Sequence, residues 1–388
     1  MGLNDTPVSE RAHIGIFGRT NAGKSSLINS LTGQAKAIVS DVAGTTTDPV
    51  TKTMELLPAG PVVIIDTPGI DDTGDLGKLR VEQAYRVLSK TDLALVVTDG
   101  TDLSPEDLKL IDRIKALEIP YIVVHNKTDA DTPEKEGAIN VSALTGFHIN
   151  ELKELIAQKL TENRAVRPLI SDLINTEDNI LLVIPIDKAA PRGRIILPQQ
   201  AVLRECLDSG AMVTCVRDTE LELYLKSNRP DLAVTDSQVF GKIKDIVPED
   251  IPLTSFSILM ARFKGFLDQS LEGIRRLDEL KEGDKILIAE GCTHHRQCGD
   301  IGSQKIPAMI TKRAGFAPVF EFVSGGEFPS DVSDYKLVIH CGGCMLNERE
   351  MRYRSSVCKA SGVPMTNYGI LISEINGILK RAIKPLNM

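Results

Sequence analysis

One segment constrains this chain more than any other. Gly18-Arg19-Thr20-Asn21-Ala22-Gly23-Lys24-Ser25 follows the strand-like HIGIF and opens the helical SSLINSL. The form G-x-x-x-x-G-K-[ST], set between a strand and a helix, is suited to wrapping phosphate. Its glycines let backbone N–H groups turn toward phosphate oxygens, Lys24 brings positive charge to the β and γ phosphates, and the Ser25 hydroxyl is placed to coordinate Mg2+. A strand, a phosphate loop and a helix in that order commit the surrounding chain to an open α/β sheet, with ligand at the C-terminal ends of the strands.

The rest of the sequence keeps that rhythm. From Ala12 to about Arg164 the runs HIGIFG, PVVIIDT, LALVVTDG, PYIVVHN and AINVSA read as buried strands with helical patterns between them. Leu152, Leu155, Ile156 and Leu160 recur at a helical period, and RAVRPLI then marks a boundary. Beyond it NILLVIPID, QAVLRECLDSG, AMVTCVRD, ELELYLKS and DLAVTDS read as strand, helix, strand, helix, strand. A long helix is expected from Ser257 to Lys281, then strands in DKILIAEGC and KLVIHCGGC, and a last amphipathic helix around Leu371 to Arg381. The expected fold class is α/β: a P-loop domain with a parallel-dominated sheet at 1–165, followed by two smaller α/β domains at 166–262 and 263–388. No internal repeat is evident between those two.

Charge and cysteine usage narrow the function. Lys and Arg number 45 against 53 Asp and Glu, a net charge of -8, which argues against a broad nucleic-acid footprint. No stretch reaches the roughly 18 uncharged apolar residues of a membrane span, and MGLNDTPVSERAH lacks a signal-peptide core. A cytoplasmic protein with neither nucleic-acid nor membrane partner is expected. The seven cysteines begin only at Cys206, and in a reducing compartment such clustering favours metal ligation over disulfides.

Three further motifs complete the nucleotide site: Asp66-Thr-Pro-Gly69, Asn126-Lys127-Thr-Asp129 and Ser142-Ala143-Leu144, each at the end of an expected strand. Asp66 can hold Mg2+ through a water, and the Gly69 amide can sense the γ-phosphate. The Asp129 carboxylate is placed to accept from the N1–H and 2-amino donors of guanine, which adenine lacks, so the nucleotide is GTP or GDP. GRTNAGKSS (with Ser26 beside Ser25), DVAGTTTD, DTPGI, NKTD and SAL resemble the tRNA-modification (TrmE/Era-like) branch of GTPases over about residues 11–163. The resemblance implies that Thr46 joins Mg2+ when its loop closes, leaving Thr45 and Thr47 as loop hydroxyls. It also implies that Asn21 helps hold a K+ ion in place of an arginine finger; the alternative is that Asn21 merely fits a tight loop. Position 70 is Ile where Ras-like GTPases orient water with Gln, so slow intrinsic hydrolysis is expected.

A second constellation lies near the C-terminus: Cys292-Thr-His294-His295-Arg-Gln-Cys298, then His340-Cys341-Gly-Gly-Cys344, each after a strand-like run. C-x-x-C is common to zinc and iron-sulfur sites. C-x-H followed at a distance by H-C-x-x-C, beneath such a GTPase domain, resembles the [FeFe]-hydrogenase maturation GTPases, the HydF family, over essentially the whole chain. That resemblance implies a [4Fe-4S] cluster on Cys292, Cys341 and Cys344 with an exchangeable fourth iron, and a transient di-iron subcluster precursor as cargo. It further implies two radical-SAM maturation enzymes and apo-[FeFe]-hydrogenase as partners, and a homodimer or larger assembly. Candidates for the fourth ligand are His294, His340 and Asp187; the favoured reading of Asp187 is an ion-pair partner of Lys188, Arg192 or Arg194. His295 and His340 also read as donors that orient thiolates. Cys298 leaves a four-thiolate site open, either zinc in a tRNA- or ribosome-associated GTPase or a closed redox cluster. Cys206, Cys215 and Cys358 read as packing residues.

Overall fold

Leu93–Thr98 is buried at every position, the mark of a central strand covered on both faces. It forms the middle of a six-stranded sheet in a computed structural model that describes residues 7–33, 50–71, 74–100, 102–133, 135–162, 167–186, 195–291 and 300–387. The chain divides into two units, Met1–Ala165 and Val166–Met388. In the first, β1 (Ala12–Gly18), β2 (Thr51–Leu56), β3 (Gly60–Asp66), β4 (Leu93–Thr98), β5 (Tyr121–His125) and β6 (Ala138–Asn140) lie in the order β2-β3-β1-β4-β5-β6. All neighbours are parallel except β2, which runs antiparallel to β3.

Alternation along the strands sends side chains to two cores. Ile14 and Ile16 of β1 pack with Leu27, Ile28 and Leu31 of the helix Lys24–Thr32 and with Leu152, Ile156 and Leu160 of the helix Ile149–Glu162. Phe17, Val63 and Ile65 face the other way, against Val87 and Leu88 of the helix Gly74–Leu88 and Leu110, Ile111 and Ile114 of the helix Pro105–Ala116. Ser104 starts that last helix with a reciprocal cap, its side chain and that of Asp107 each accepting from the other's backbone N–H. β2 is absent from the sequence expectation because TKTMEL alternates exposed and half-buried residues, as an edge strand does, and contains no apolar run.

The second unit contains two four-stranded parallel sheets and one continuous hydrophobic core. β7 (Asn179–Val183), β8 (Met212–Val216), β9 (Leu232–Thr235) and β10 (Leu253–Ser255) are ordered β10-β9-β7-β8; β11 (Lys285–Glu290), β12 (Val319–Ser324), β13 (Leu337–His340) and β14 (Met365–Asn367) are ordered β12-β11-β13-β14. Read from the other edge, the second order is β14-β13-β11-β12, the same topology as the first. This corrects the expectation of no internal repeat. The match extends past the fourth strands, where Ser255 and Asn367 cap the helices Phe256–Phe263 and Tyr368–Ile375 by accepting from Ile258 N and Ile370 N.

The expected long helix at Ser257–Lys281 and the expected last helix at Leu371–Arg381 are each interrupted at a glycine. Gly265 (φ +76°) separates Phe256–Phe263 from Leu267–Ile274, and Gly377 (φ +71°) separates Tyr368–Ile375 from Leu379–Ile383. A left-handed residue stops an α-helix, and glycine takes it without steric penalty. Each second helix crosses to the other half. Thr366 Oγ1 on β14 donates to Ser270 O at 3.0 Å, and Arg381 donates to the carbonyls of Lys244 and Ile251 at 3.2 Å, beside β10. Among the described residues no helix is long and apolar enough to cross a membrane.

Candidate functional site

The phosphate loop leaves β1 and enters the helix Lys24–Thr32 through Gly23, whose φ of +89° is left-handed. A side chain there would collide with Asn126, since a Cβ would stand 2.2 Å from its Nδ2. Asn126 is buried and braces the loop, donating from Nδ2 to Ala22 O at 2.9 Å while its Oδ1 accepts from Ala143 N at 3.0 Å. Lys127 Nζ donates to Asn21 O at 2.7 Å, and Asn21 is itself left-handed at φ +64°. Four of the sequence motifs therefore meet in one place: the P-loop, NKTD, SAL and, through Ser25, the Asp66 strand end.

Lys24 Nζ is buried and donates to Gly18 O at 2.9 Å and Arg19 O at 2.8 Å. Ser25 Oγ donates to Asp66 Oδ2 at 2.7 Å, while Asp66 Oδ1 is buried with no hydrogen-bond partner among the described residues. Burial holds the Asp66 carboxyl above its ordinary range, against the opposing pull of Ser25 and Lys24. A hydroxyl beside an unsatisfied buried carboxylate oxygen is a donor set that fits Mg2+, and the cation would relieve that burial penalty. Asp129 is exposed, its carboxylate accepting from Thr132 Oγ1 at 2.9 Å. Ser142 is buried and accepts from Thr145 N at 3.2 Å, whereas Leu144 and Ser26 are exposed. Thr45, Thr46 and Thr47 lie outside the described residues.

Two contacts here went unread in the sequence. Asp71 Oδ1 accepts from Thr20 N at 2.6 Å and Thr20 Oγ1 at 2.9 Å, tying the P-loop to the segment after Gly69. Arg19 donates to Asp99 at 2.8 Å and lies 3.5 Å from the buried Asp107. Ile70 is buried at 6% exposure in the core, so position 70 serves packing.

The cysteine site is built on two neighbouring parallel strands, β11 and β13, with Ala289 opposite His340. Cys341 follows β13, and its Sγ accepts from Gly291 N at 3.1 Å and Gly343 N at 3.4 Å. Gly291 immediately precedes Cys292 in the chain. Burial raises the Cys341 thiol, opposed by these two N–H groups and by Arg354. Cys292, His294, His295, Cys298 and Asp187 lie outside the described residues. Among the described residues no three His, Cys, Asp or Glu side chains converge on a metal position. Cys341 and Cys344 do have a donor set that fits an iron-sulfur cluster: two half-buried cysteines, one of whose sulfurs already receives N–H groups of the kind that stabilise cluster sulfur.

His340 stands among the candidate fourth ligands, but both its nitrogens are engaged. Arg354 can only donate, so His340 Nε2 accepts from it at 2.9 Å, and Nδ1–H is left to donate to Cys341 O at 2.7 Å. Burial first, and then Arg354, pull the ring down to about 3, and it stays neutral. In this arrangement His340 orients the Cys341 backbone. Cys206 and Cys358 are buried, but Cys215 is exposed on the edge strand β8, which corrects its reading as a packing residue.

The first unit is thus a P-loop GTPase domain, and residues 13–127 match the 50S ribosome-binding GTPase family. Residues 169–265 match the hydrogen maturase F dimerization domain and residues 268–385 the hydrogen maturase F tetramerization domain. The chain belongs to the hydrogen maturase F (HydF) family. It is 38% identical over 164 residues to the tRNA modification GTPase MnmE of Aquifex aeolicus, covering 40% of this chain and 36% of that protein. It is 36% identical over 170 residues to GTPase Der of Wolinella succinogenes, covering 39% of this chain and 36% of that protein. The chain spans about a third of the length of these curated relatives. A solved structure of an Era variant from Aquifex aeolicus bound to GDP.AlF4- is 24% identical, covering 53% of this chain and 92% of that one at a TM-score of 0.34.

Proposed function

We propose that this chain is a GTP-binding and GTP-hydrolysing scaffold for [FeFe]-hydrogenase maturation. In this reading it holds a [4Fe-4S] cluster on Cys292, Cys341 and Cys344 and delivers a di-iron subcluster to apo-hydrogenase. Three thiolates leave one iron open to an exogenous ligand, which is what holding such cargo requires; a closed cluster passes electrons and nothing else. The observation that carries the reading is the Gly291 N–H on Cys341 Sγ, which brings the chain position before Cys292 against the second motif. The domains at residues 169–265 and 268–385 support a dimer or larger assembly as the working form. Two radical-SAM enzymes are the proposed suppliers of the cargo's ligands. The test is metal content and EPR on anaerobically purified protein, with and without cyanide or imidazole. About four irons and four sulfides per chain, with a reduced signal that shifts on adding the ligand, is expected. Stoichiometric zinc without iron overturns the reading.

GTP hydrolysis acts as a switch in this scheme, ordering and releasing loops around the γ-phosphate. Lys24 neutralises the phosphates, Ser25 and Asp66 hold Mg2+, and Asp129 selects guanine. K+ supplies the positive charge that an arginine finger supplies elsewhere, with Asn21 as one ligand. Its left-handed backbone, pinned by Lys127, supports this assignment. Hydrolysis is expected to run about tenfold or more faster in KCl than in NaCl, with the difference lost in Asn21→Ala. Equal rates in the two salts reduce Asn21 to a loop former.

A further inference from the structure

The segment that follows β3 is fastened to the phosphate loop at three successive residues. Gly69 lies against Thr20, so that a Cβ on it would stand 2.1 Å from Thr20 Oγ1 and 2.9 Å from Asp71 Oδ1. Ile70 N donates to Gly18 O at 3.3 Å, and the Ile70 side chain is buried in the core. Asp71 Oδ1 then accepts from Thr20 N at 2.6 Å and from Thr20 Oγ1 at 2.9 Å. The attachments differ in kind. Ile70 is committed to packing, whereas Asp71 is exposed and is held by hydrogen bonds that water can replace.

The charge of Asp71 matters because of where it is held. Partial burial pushes its carboxyl up, but the Thr20 N–H and hydroxyl, and then Lys24, hold it below the ordinary carboxylate range, so it is an anion at neutral pH. Lys24 is also the ammonium that meets the β and γ phosphates, and the Gly69 amide is the γ-phosphate sensor in the reading above. The Asp71 carboxylate and a γ-phosphate are thus drawn to the same ammonium beside the same glycine, and like charges that close repel. GDP ends at the β-phosphate and brings no charge to that place. A ligand shifts two arrangements only by its differential affinity for them, and its apparent affinity falls with the fraction of chains that can accept it.

We propose that Asp71 is a specificity-determining residue at the nucleotide site: its carboxylate latches the Gly69 segment to Thr20, GDP binds with the latch closed, and a γ-phosphate has to open it. The latch weakens triphosphate binding relative to diphosphate and makes movement of this segment conditional on the γ-phosphate. This deepens the switch reading above by naming the contact that is switched, and it rests on the nucleotide site alone, independent of the cluster.

The test is equilibrium binding of mant-GDP and of mant-GMPPNP, a non-hydrolysable triphosphate, to the full-length natural chain, Asp71→Ala, Asp71→Asn and Thr20→Val in the presence of Mg2+. GDP affinity is expected to stay within about twofold of the natural value, which also reports that each variant is folded. Triphosphate affinity is expected to rise by about five- to twentyfold in Asp71→Ala, and by less in Thr20→Val, which loses one of the two latch bonds. Asp71→Asn keeps an acceptor for Thr20 and removes the charge, so its triphosphate affinity also rises, and it serves if Asp71→Ala does not fold. An unchanged ratio of triphosphate to diphosphate affinity in both Asp71 variants overturns the proposal. So does a ratio that falls, which would make the contact one that prepares Gly69 for phosphate. A natural chain that binds neither nucleotide instead fails the nucleotide site itself, and this inference falls with it.

Discussion

Lys24→Ala is expected to slow GTP hydrolysis by about a hundred- to a thousandfold, the scale of losing one preorganised charge donor from a phosphoryl-transfer site. The prediction rests on where the ammonium sits. Nζ is buried in the loop, held 2.9 Å from Gly18 O and 2.8 Å from Arg19 O, so it is fixed before any phosphate arrives. Little rotamer entropy remains to be lost on binding, and the charge is desolvated, where it counts for more than in water. The substitution also leaves two loop carbonyls without their donor, so part of the loss appears as weaker GDP binding. Measuring GDP affinity beside the hydrolysis rate separates the two. Hydrolysis within a few fold of the natural rate would remove Lys24 from the chemistry. In cells, the switch reading expects Lys24→Ala to block hydrogenase activation while the iron content of the purified variant stays normal.

The parts of this protein that were legible in its sequence are those where one local signal suffices. The P-loop is such a case, since its glycines, lysine and serine are contiguous and their structural context is adjacent. The apolar runs of β1, β3, β4 and β5 are another, because a strand covered on both faces has no polar side to disguise it. Edge strands fail that rule. β2 alternates with charged residues, β12 is nowhere fully buried, and β14 is three residues long. The broken helices failed for a different reason. An apolar period continues through Gly265 and Gly377, and only the backbone dihedral reveals that the chain turns. The repeated topology was hidden because the halves share strand order and capping positions, which no local sequence pattern displays. Arg354 and Asp71 were invisible in principle: each acts across a long sequence separation, and each reads locally as an ordinary surface charge.

Arg354→Met is expected to destabilise the second unit by about 3–5 kcal/mol, the usual loss when one partner of a buried charge pair is removed, and to lower its melting temperature by roughly 10 °C. Arg354 is 1% exposed and lies over the Phe328 ring, with its guanidinium 5.2 Å from the centroid. It donates to His340 Nε2 at 2.9 Å and to Gly325 O and Glu350 at 2.5 Å. Methionine fills much of the same volume but donates to none of these. Glu350, with a side chain only 13% exposed, is then left as a poorly compensated carboxylate, and His340 Nε2 loses its donor. If desolvated charge is the cause, the double variant Arg354→Met with Glu350→Leu should recover most of the loss, because replacing both partners with apolar groups is often close to neutral. If loop geometry also matters, iron uptake in the double variant should remain below that of the natural chain even at normal stability. His340 would then be free to rotate and would no longer hold Cys341 O from its Nδ1. Thermal unfolding and iron content of the two variants decide the matter. A single variant within about 1 kcal/mol of the natural chain would make this buried pair worth no more than a surface ion pair, and a double variant as unstable as the single one would show that packing of the Arg354 stem, rather than its charge, holds the loop in place.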